Sequence, residues 1–242
     1  RIENALEALD RPGEWCFDSR EGAIYFWPPE DLGAGGSVTI PVLDTLVAVR
    51  DAAWIVMSGF AFTATRAGGD AGALELVNAQ NVRVENCRID AVGQTGLKLV
   101  GRDGGESASN VVRRNEMTAT GASGIYIGGR AHSNRILDNH IHDCGVFNKY
   151  AAGVEFPFYG GSRQDVSAID YTEGNLIAHN HLHDLPRDGI MLGANPYGRN
   201  VVEYNRVERT CLESVDSGAI RAHLDGFAGV AENLSEIPPM VG

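Results

Sequence analysis

Short runs of alternating apolar residues recur along most of the chain, and a glycine opens each run. These glycines are Gly96, Gly124, Gly153, Gly189 and Gly218, at steps of 28, 29, 36 and 29 residues. A nearly fixed period in this range is typical of a solenoid, in which each unit buries its apolar edge against its neighbours. The runs are three to five residues long, with no helical pattern between them. The sequence therefore predicts an all-β parallel β-helix of about six to seven coils rather than a leucine-rich repeat.

The repeat does not cover the whole chain. Residues 1–41 depart from it: residues 3–9 predict one or two helical turns, and residues 14–18 and 23–29 predict a hairpin joined by Ser19–Gly22. We expect this segment to pack on the solenoid, which spans residues 42–222. Residues 223–242 carry Pro238-Pro239 and no corner Asn, which predicts an irregular tail where a coil is truncated or interrupted.

The period also predicts which side chains lie next to one another on the outside. In each first strand two apolar residues flank one residue that must point outward. We expect these residues to form one exposed column: Ala48, Glu75, Lys98, Tyr126, Glu155, Met191 and Arg221. Two further columns on the third strands are Asp90, Thr118, His142, His183 and Glu208, and Arg88, Glu116, His140, His181 and Arg206.

A column of corner residues reads Cys87, Asn115, Asn139, Asn180 and Asn205. Asn tolerates the left-handed backbone of a tight corner, and we expect these residues to adopt it. Coils stack at about 4.8 Å, so the side-chain amides can hydrogen-bond from coil to coil. We interpret this column as a structural ladder.

Composition excludes some classes of function. The 242 residues carry a net charge of −12 and no basic cluster, which argues against nucleic acid as a partner. No apolar run approaches the roughly 20 residues that span a bilayer. The four cysteines have no metal-binding or disulfide spacing and are interpreted as mostly buried thiols. The chain starts at Arg1, so we expect a piece of a longer protein with further coils.

The glycine-opened strands, the corner Asn and the phrases HNHLHD and DSGAI resemble right-handed parallel β-helix proteins that act on carbohydrate. The segment GEWCFDSREGAIYFWPP is similar to one found ahead of the repeats in β-helix glycoside hydrolases, such as the α-L-fucosidase and xylanase family 141. The resemblance covers about residues 1–222. It implies a right-handed solenoid and a secreted or periplasmic bacterial enzyme that cleaves a plant- or algal-type polysaccharide.

Three carboxylates in neighbouring coils, Glu155, Asp188 and Asp216, are the candidate catalytic residues. Side chains on adjacent coils lie about 5 Å apart, and those two coils apart about 10 Å. Retaining glycosidases need about 5–5.5 Å between two carboxyl groups, and inverting ones about 6.5–9.5 Å. Asp188 with Asp216 fits the close spacing, and Glu155 with Asp216 the wide one. The alternative is a solvated acidic edge.

The candidate substrate-binding residues lie on the same columns and in the longest loops. His140, His142, His181 and His183 form a grid that could bind a transition metal, but we favour contacts with sugar hydroxyls or stacking, and predict no metal. Aromatic residues of the long loops can pack on sugar faces. The predicted binding set is Lys98, Tyr126, His142, His183, Arg221, Tyr150 and Tyr159.

Two other classes of function stay open. A polysaccharide lyase or epimerase needs a Lys, Arg, His or Tyr base and a charge neutraliser, often Ca²⁺. Lys98, Tyr126 and Arg221 stand in a suitable column for that chemistry. A non-catalytic glycan-binding module would use the aromatic side chains and not the carboxylates.

Overall fold

A computed structural model describes residues 5–33, 36–156, 172–193 and 199–222. The chain forms two compact units, Arg1–Ile40 and Pro41–Gly242. In the first unit, strands β1 (Trp15–Asp18) and β2 (Ala23–Phe26) pair antiparallel, which confirms the hairpin. The predicted helical turns reduce to one 3₁₀ turn at Leu6–Ala8. Packing of this unit on the solenoid stays a prediction, and the tail at 223–242 lies outside the described residues.

The second unit is a parallel β-helix of three sheets. In the described ranges, the first sheet pairs β3 (Val47–Arg50), β6 (Gly72–Val77), β9 (Thr95–Gly101), β13 (Ile125–Gly129), β17 (Ala152–Glu155), β20 (Asp188–Leu192) and β23 (Ile220–Ala222). The second sheet pairs β4 (Val56–Ser58), β7 (Arg83–Glu85), β11 (Val111–Arg113), β15 (Arg135–Leu137), β18 (Leu176–Ala178) and β21 (Val201–Glu203). The third sheet pairs β5 (Ala61–Thr63), β8 (Arg88–Asp90), β12 (Glu116–Thr118), β16 (His140–His142), β19 (His181–His183) and β22 (Arg206–Glu208). A short parallel pair, β10 (Ser107–Ala108) with β14 (Ala131–His132), completes the strands.

The pairing confirms the predicted register on both outer faces. In the first sheet Lys98 pairs with Tyr126, Tyr126 with Glu155, and Glu155 with Met191. In the third sheet His140 pairs with His181, and His142 with His183. Because every coil follows the same path, residues one winding apart become neighbours across a parallel pair.

The core lies inside the coil, where all three sheets turn apolar side chains toward one another. Leu97, Val112, Met117, Ile125, Ile136 and Ile141 are fully buried in one cluster. The repeat glycines let the first sheet approach this core closely. A Cβ at Gly153 would stand 2.6 Å from the Leu182 side chain and 2.8 Å from the Gly189 carbonyl oxygen. A larger residue therefore has no space there.

Two ladders of buried asparagines border the second sheet. At its C-terminal corner the side-chain amides of Asn115, Asn139, Asn180 and Asn205 bond in sequence at 2.9–3.0 Å, as predicted. At its N-terminal corner a second ladder, which the sequence pattern had not revealed to us, joins Asn110, Asn134, Asn175 and Asn200 at 2.9–3.0 Å.

The predicted left-handed backbone of the ladder asparagines is wrong. The residue before each one takes the positive φ instead, as at Arg114 (52°) and Asp138 (54°). The physical reason is that each ladder Asn turns its side chain inward: Asn139 Nδ2 donates to the Val112 carbonyl at 2.9 Å. The preceding residue therefore makes the sharp change of direction.

The cysteines and membrane propensity agree with expectation. Cys16, Cys87 and Cys144 are buried thiols, Cys211 is partly buried, and none is in a disulfide. Burial raises the pKa of the Cys144 thiol to about 12. Within the described residues, no helix has the length and apolar character needed to cross a bilayer.

Candidate functional site

Glu155 is a partly buried acidic residue on the outer face of the first sheet. Ser123 Oγ, one coil earlier, donates a short hydrogen bond to Glu155 Oε2. Burial raises the pKa of Glu155, and the nearby carboxylate of Asp70 adds to this. The Ser123 hydrogen bond and the charges of Lys98 and Arg187 oppose the rise without cancelling it. Glu155 therefore keeps its proton to higher pH than an ordinary glutamate.

Lys98 stands two coils before Glu155 in the same outward column, and it is buried. Its Nζ donates to the Asp70 carboxylate at 2.7 Å and to the Asp70 carbonyl at 2.9 Å, and lies 4.7 Å from the centre of the Tyr126 ring. Glycine at position 72 leaves room for the Lys98 side chain, because a Cβ there would stand 2.9 Å from Lys98 Cγ.

The prediction of an exposed column on the first sheet is therefore wrong in part. Glu75, Lys98 and Met191 point outward in register but are buried, at 5%, 1% and 7% exposure. The residues between coils cover them, as Asp70 covers Lys98. Strand alternation decides which way a side chain points, whereas the connecting segments decide whether solvent reaches it.

A pocket of about 380 Å³ opens beside Lys98 and Tyr126. Asp70, Lys98 and Tyr126 line one side of it, and the turn at 101–104 and Arg130 line the other. The pocket presents both acidic and basic groups, which suits a polar ligand rich in hydroxyl groups.

Arg187 links the other two candidate carboxylates. Its Nε lies 3.3 Å from Asp188 Oδ2, and its Nη2 lies 3.6 Å from Asp216 Oδ2. The guanidinium stacks 4.6 Å from the centre of the Tyr150 ring.

Asp188 and Asp216 have opposite environments. Asp188 is fully buried, and its Oδ1 accepts the Gly218 main-chain N–H at 2.8 Å. Asp216 is 79% exposed at its side chain, with Arg221 Nη2 at 3.1 Å from its Oδ1. Asp216 is thus open to a ligand, while Asp188 holds neighbouring backbone and Arg187 in place.

The three carboxylates do not form one column. Glu155 pairs with Met191, and Asp188 pairs with Ala152 three residues earlier. The pairing of Ile190 with Ile220 places Gly218, rather than Asp216, opposite Asp188. The spacing of adjacent coils therefore does not give their separation; Arg187 joins Asp188 and Asp216 instead.

Sequence reasoning missed Ser123, Asp70 and Arg187. Ser123 stands one position before a repeat glycine, in the same row as Ala152 and Asp188, and its hydroxyl also accepts the Ala152 N–H at 3.1 Å. Arg187 could have been found as the neighbour of Asp188. Asp70 lies in a connecting segment, where the strand period carries no information.

The predicted substrate-binding residues separate into two groups. Lys98, Tyr126, Arg221 and Tyr150 belong to the first sheet or the connection leading into it. His142 and His183 belong to the third sheet and do not join them. Tyr159 lies outside the described residues.

The third sheet carries the histidine grid. His140 and His181 stack with ring centres 5.1 Å apart, and His142 and His183 with centres 4.8 Å apart. Burial, followed by the charges of the adjacent imidazoles, lowers the pKa of His140. Hydrogen bonds from His181 and Arg206 lower the pKa of Glu208 to about 2.

Comparison with known proteins agrees with this architecture. A family model described as "Right handed beta helix region" matches residues 72–223. A solved structure named "Glycoside hydrolase" superposes with a TM-score of 0.68 at 17% identity. The alignment covers 90% of this chain and 46% of that one, so the chain spans about half the length of this neighbour. Among curated proteins, none matches the chain.

Proposed function

The chain belongs to the right-handed β-helix family, and on that premise we propose that it is a glycoside hydrolase. The proposed substrate is a plant- or algal-type polysaccharide, and the proposed location is secreted or periplasmic, in bacteria. Glycoside hydrolase family 141 is the kind that its N-terminal segment resembles. The observation that carries the proposal is Glu155: a partly buried carboxyl group with a raised pKa, on the sheet whose Arg221 pairs with the exposed carboxylate of Asp216.

In this proposal Glu155 is the general acid. Its raised pKa suits a group that must hold a proton until the glycosidic oxygen leaves. Ser123 orients the carboxyl through its hydrogen bond to Oε2. The proton passes to the leaving oxygen as the bond between that oxygen and the anomeric carbon breaks.

Asp216 is the proposed second carboxylate. As a nucleophile it would bond to the anomeric carbon before water displaces it; as a base it would take a proton from the attacking water. Either route adds one water across the glycosidic bond. Arg187 and Arg221 hold Asp216 in position, and Asp188 holds Arg187. The complete burial of Asp188 favours this positioning role over direct contact with substrate.

The pocket beside Lys98 and Tyr126 is the proposed place for a sugar unit, with Tyr150 as a further contact. Tyr150 is 73% exposed and already stacks on Arg187, so its free face can pack on sugar CH groups. No cofactor enters this mechanism.

The test is release of reducing ends from a panel of plant and algal polysaccharides. Glu155→Gln keeps the shape and removes the proton, so we expect a loss of at least about 100-fold, the lower bound for acid catalysis. Glu203→Gln, an exposed carboxylate on the second sheet, is the matched control and should keep full activity. Full activity in Glu155→Gln, with circular dichroism unchanged, would remove the assignment.

A lyase is the second candidate, because the Lys98 ammonium lies against the Tyr126 ring in one coil-to-coil contact. A lyase forms unsaturated ends that absorb in the ultraviolet, whereas a hydrolase does not, and a binding module releases no ends. Ultraviolet absorbance that depends on Tyr126 would favour the lyase, with Ca²⁺ as charge neutraliser. Binding of the same polysaccharides without any cleavage would favour a glycan-binding module.

A further inference from the structure

The imidazoles on the outer face of the third sheet point their nitrogen atoms at one another. His140 Nε2 lies 2.7 Å from His183 Nε2, and the ring centres of His140 and His142 are 4.4 Å apart. Two nitrogens at that distance must share one proton or a cation, since two lone pairs repel.

The neighbouring carboxylates assign the protons. His142 Nδ1 lies 2.7 Å from Asp143 Oδ2 and 3.3 Å from Thr118 Oγ1, and His183 Nδ1 lies 2.6 Å from Asp184 Oδ2. A carboxylate only accepts, so a neutral His142 ring carries its proton on Nδ1 and a lone pair on Nε2. One proton joins His140 Nε2 and His183 Nε2.

His142 Nε2 has no hydrogen-bond donor. In the part of the chain that the structure describes, this buried nitrogen makes no hydrogen bond. Its near neighbour is Glu116 Oε1 at 3.8 Å, which is another acceptor. A cation between this lone pair and the Glu116 carboxylate would satisfy both groups. The contact of His142 Nδ1 with the Asp143 carboxylate is also of the kind that orients metal-binding histidines, in which the ring nitrogen away from the metal bonds to a carboxylate.

Glu116, His140 and His142 together can supply three ligand atoms, all within 4.8 Å of one another. A tetrahedral zinc site needs ligand atoms about 3.3 Å apart, given zinc–nitrogen bonds of about 2.0–2.1 Å. Small side-chain rotations close that difference, and the strands hold the three residues in adjacent register positions.

Charge favours this end of the grid over the other. Around His142 lie the carboxylates of Glu116 and Asp143, against the guanidinium of Arg88 that pairs with Glu116. The second possible set, His140 with His181 and His183, has two carboxylates against two guanidinium groups: Glu208 and Asp184, and Arg206 and Arg209. Arg209 Nη2 lies 3.1 Å from His183 Nδ1, so a cation there would meet a positive charge.

We propose that Glu116, His140 and His142 Nε2 bind one divalent transition-metal ion of the zinc class on the third sheet. The site is separate from the face that carries Glu155, so it does not depend on the proposed hydrolase activity. An open fourth position, as three protein ligands leave, would admit water or a sugar hydroxyl.

The test is titration of the chelator-treated chain with Zn²⁺ by calorimetry, and with Co²⁺ by visible absorption. We expect one ion per chain. Asp143→Asn, which keeps a side chain suited to the positive φ of 51° there, should weaken binding about 10- to 100-fold as an outer partner. His142→Gln and Glu116→Gln should weaken it more. His181→Gln and His132→Gln are matched controls that should leave it unchanged.

Thermal unfolding of each variant without metal checks that the fold is intact, and added Zn²⁺ should raise the melting temperature of the wild type but not of His142→Gln. Absence of Zn²⁺ binding by the folded wild-type chain would overturn the proposal. So would binding that survives in His142→Gln and is lost in His181→Gln, because that result places the ion at the other end of the grid.

Discussion

The outer faces of the first and third sheets follow the same stacking register, yet the pKa values of Glu155 on one and Glu208 on the other shift in opposite directions. On the first sheet burial raises the pKa of Glu155. On the third sheet hydrogen bonds from His181 and Arg206 lower the pKa of Glu208 to about 2. Register places a side chain in a column, but the groups that cover it or pair with it decide its chemistry.

The connections between coils cause this difference. Asp70, in the segment before β6, reaches over Lys98 and removes it from solvent. The third-sheet columns remain accessible enough for chains of ion pairs, such as Arg88 with both Glu116 and Asp90. A buried face can hold a neutral acid for proton transfer, whereas a solvated face keeps its carboxylates ionised and able to attract cations.

The largest expected effect concerns the asparagine ladder at the corner between the second and third sheets, to which Asn139 belongs. Asn139 Oδ1 accepts hydrogen bonds from the main-chain N–H and the side-chain amide of Asn115, both at 3.0 Å. Asn139 Nδ2 donates to the Val112 carbonyl and to Asn180 Oδ1, both at 2.9 Å. Asn139→Ala removes all four bonds. Each buried polar group left unpaired costs about 1–3 kcal/mol, so we expect a loss of about 3 kcal/mol or more, measured by urea unfolding.

Asn205→Ala is the matched control for that ladder. Asn205 ends the described ladder, is half-buried and bonds to Asn180 and Ile177, so its loss should cost less. Equal small losses in both variants would contradict the view that buried amides hold the corner together.

The second effect concerns the covered face of the first sheet and is asymmetric. Asp70→Ala removes the carboxylate that pairs with the Lys98 ammonium and covers it, and we expect a loss of about 1–3 kcal/mol, the cost of a polar group left without its partner. Lys98→Met leaves the Asp70 carboxylate, which is 85% exposed, in water, and should cost less than about 1 kcal/mol. Urea unfolding measures both. A larger loss of stability in Lys98→Met than in Asp70→Ala would contradict the view that Asp70 stabilises a buried Lys98 ammonium.

The smallest effects are two pH dependences of opposite sign. Because the folded pKa of Glu155 is raised above 4.5, its favourable contribution is full below that pH and is lost as the pH rises through the folded pKa. Glu155→Gln should therefore be more stable than wild type at neutral pH, and the advantage should vanish at about pH 4.

For Glu208, a folded pKa of about 2 gives the reverse. Its contribution is present above the ordinary value of 4.5 and is lost as the pH falls toward about 2. Glu208→Gln should be less stable than wild type at neutral pH, and the difference should shrink as acid is added. Melting temperatures at several pH values check both variants, and slopes of the same sign would contradict the contrast between the two faces.

Much of the candidate site follows from alternation and period. Glu155 lies in the same row as Tyr126 and Met191, as the alternation predicts, and His140 and His142 lie beside His181 and His183. The contact of Arg187 with both Asp188 and Asp216 does not follow from the period, since Gly218 and not Asp216 stands opposite Asp188. Long side chains cross such offsets, and strand spacing cannot describe their reach.

The sequence by itself determined the stacking of the coils, because a glycine-opened strand and an inward Asn recur at a step that closes one winding. It also determined which residues point out, because alternation along a strand leaves two choices and the apolar ones go in. Only the tertiary structure decided which outward groups lose water, since connecting segments such as the one that carries Asp70 obey no period. Solvation is a property of the assembled surface, and it separates the buried Asp188 from the exposed Asp216.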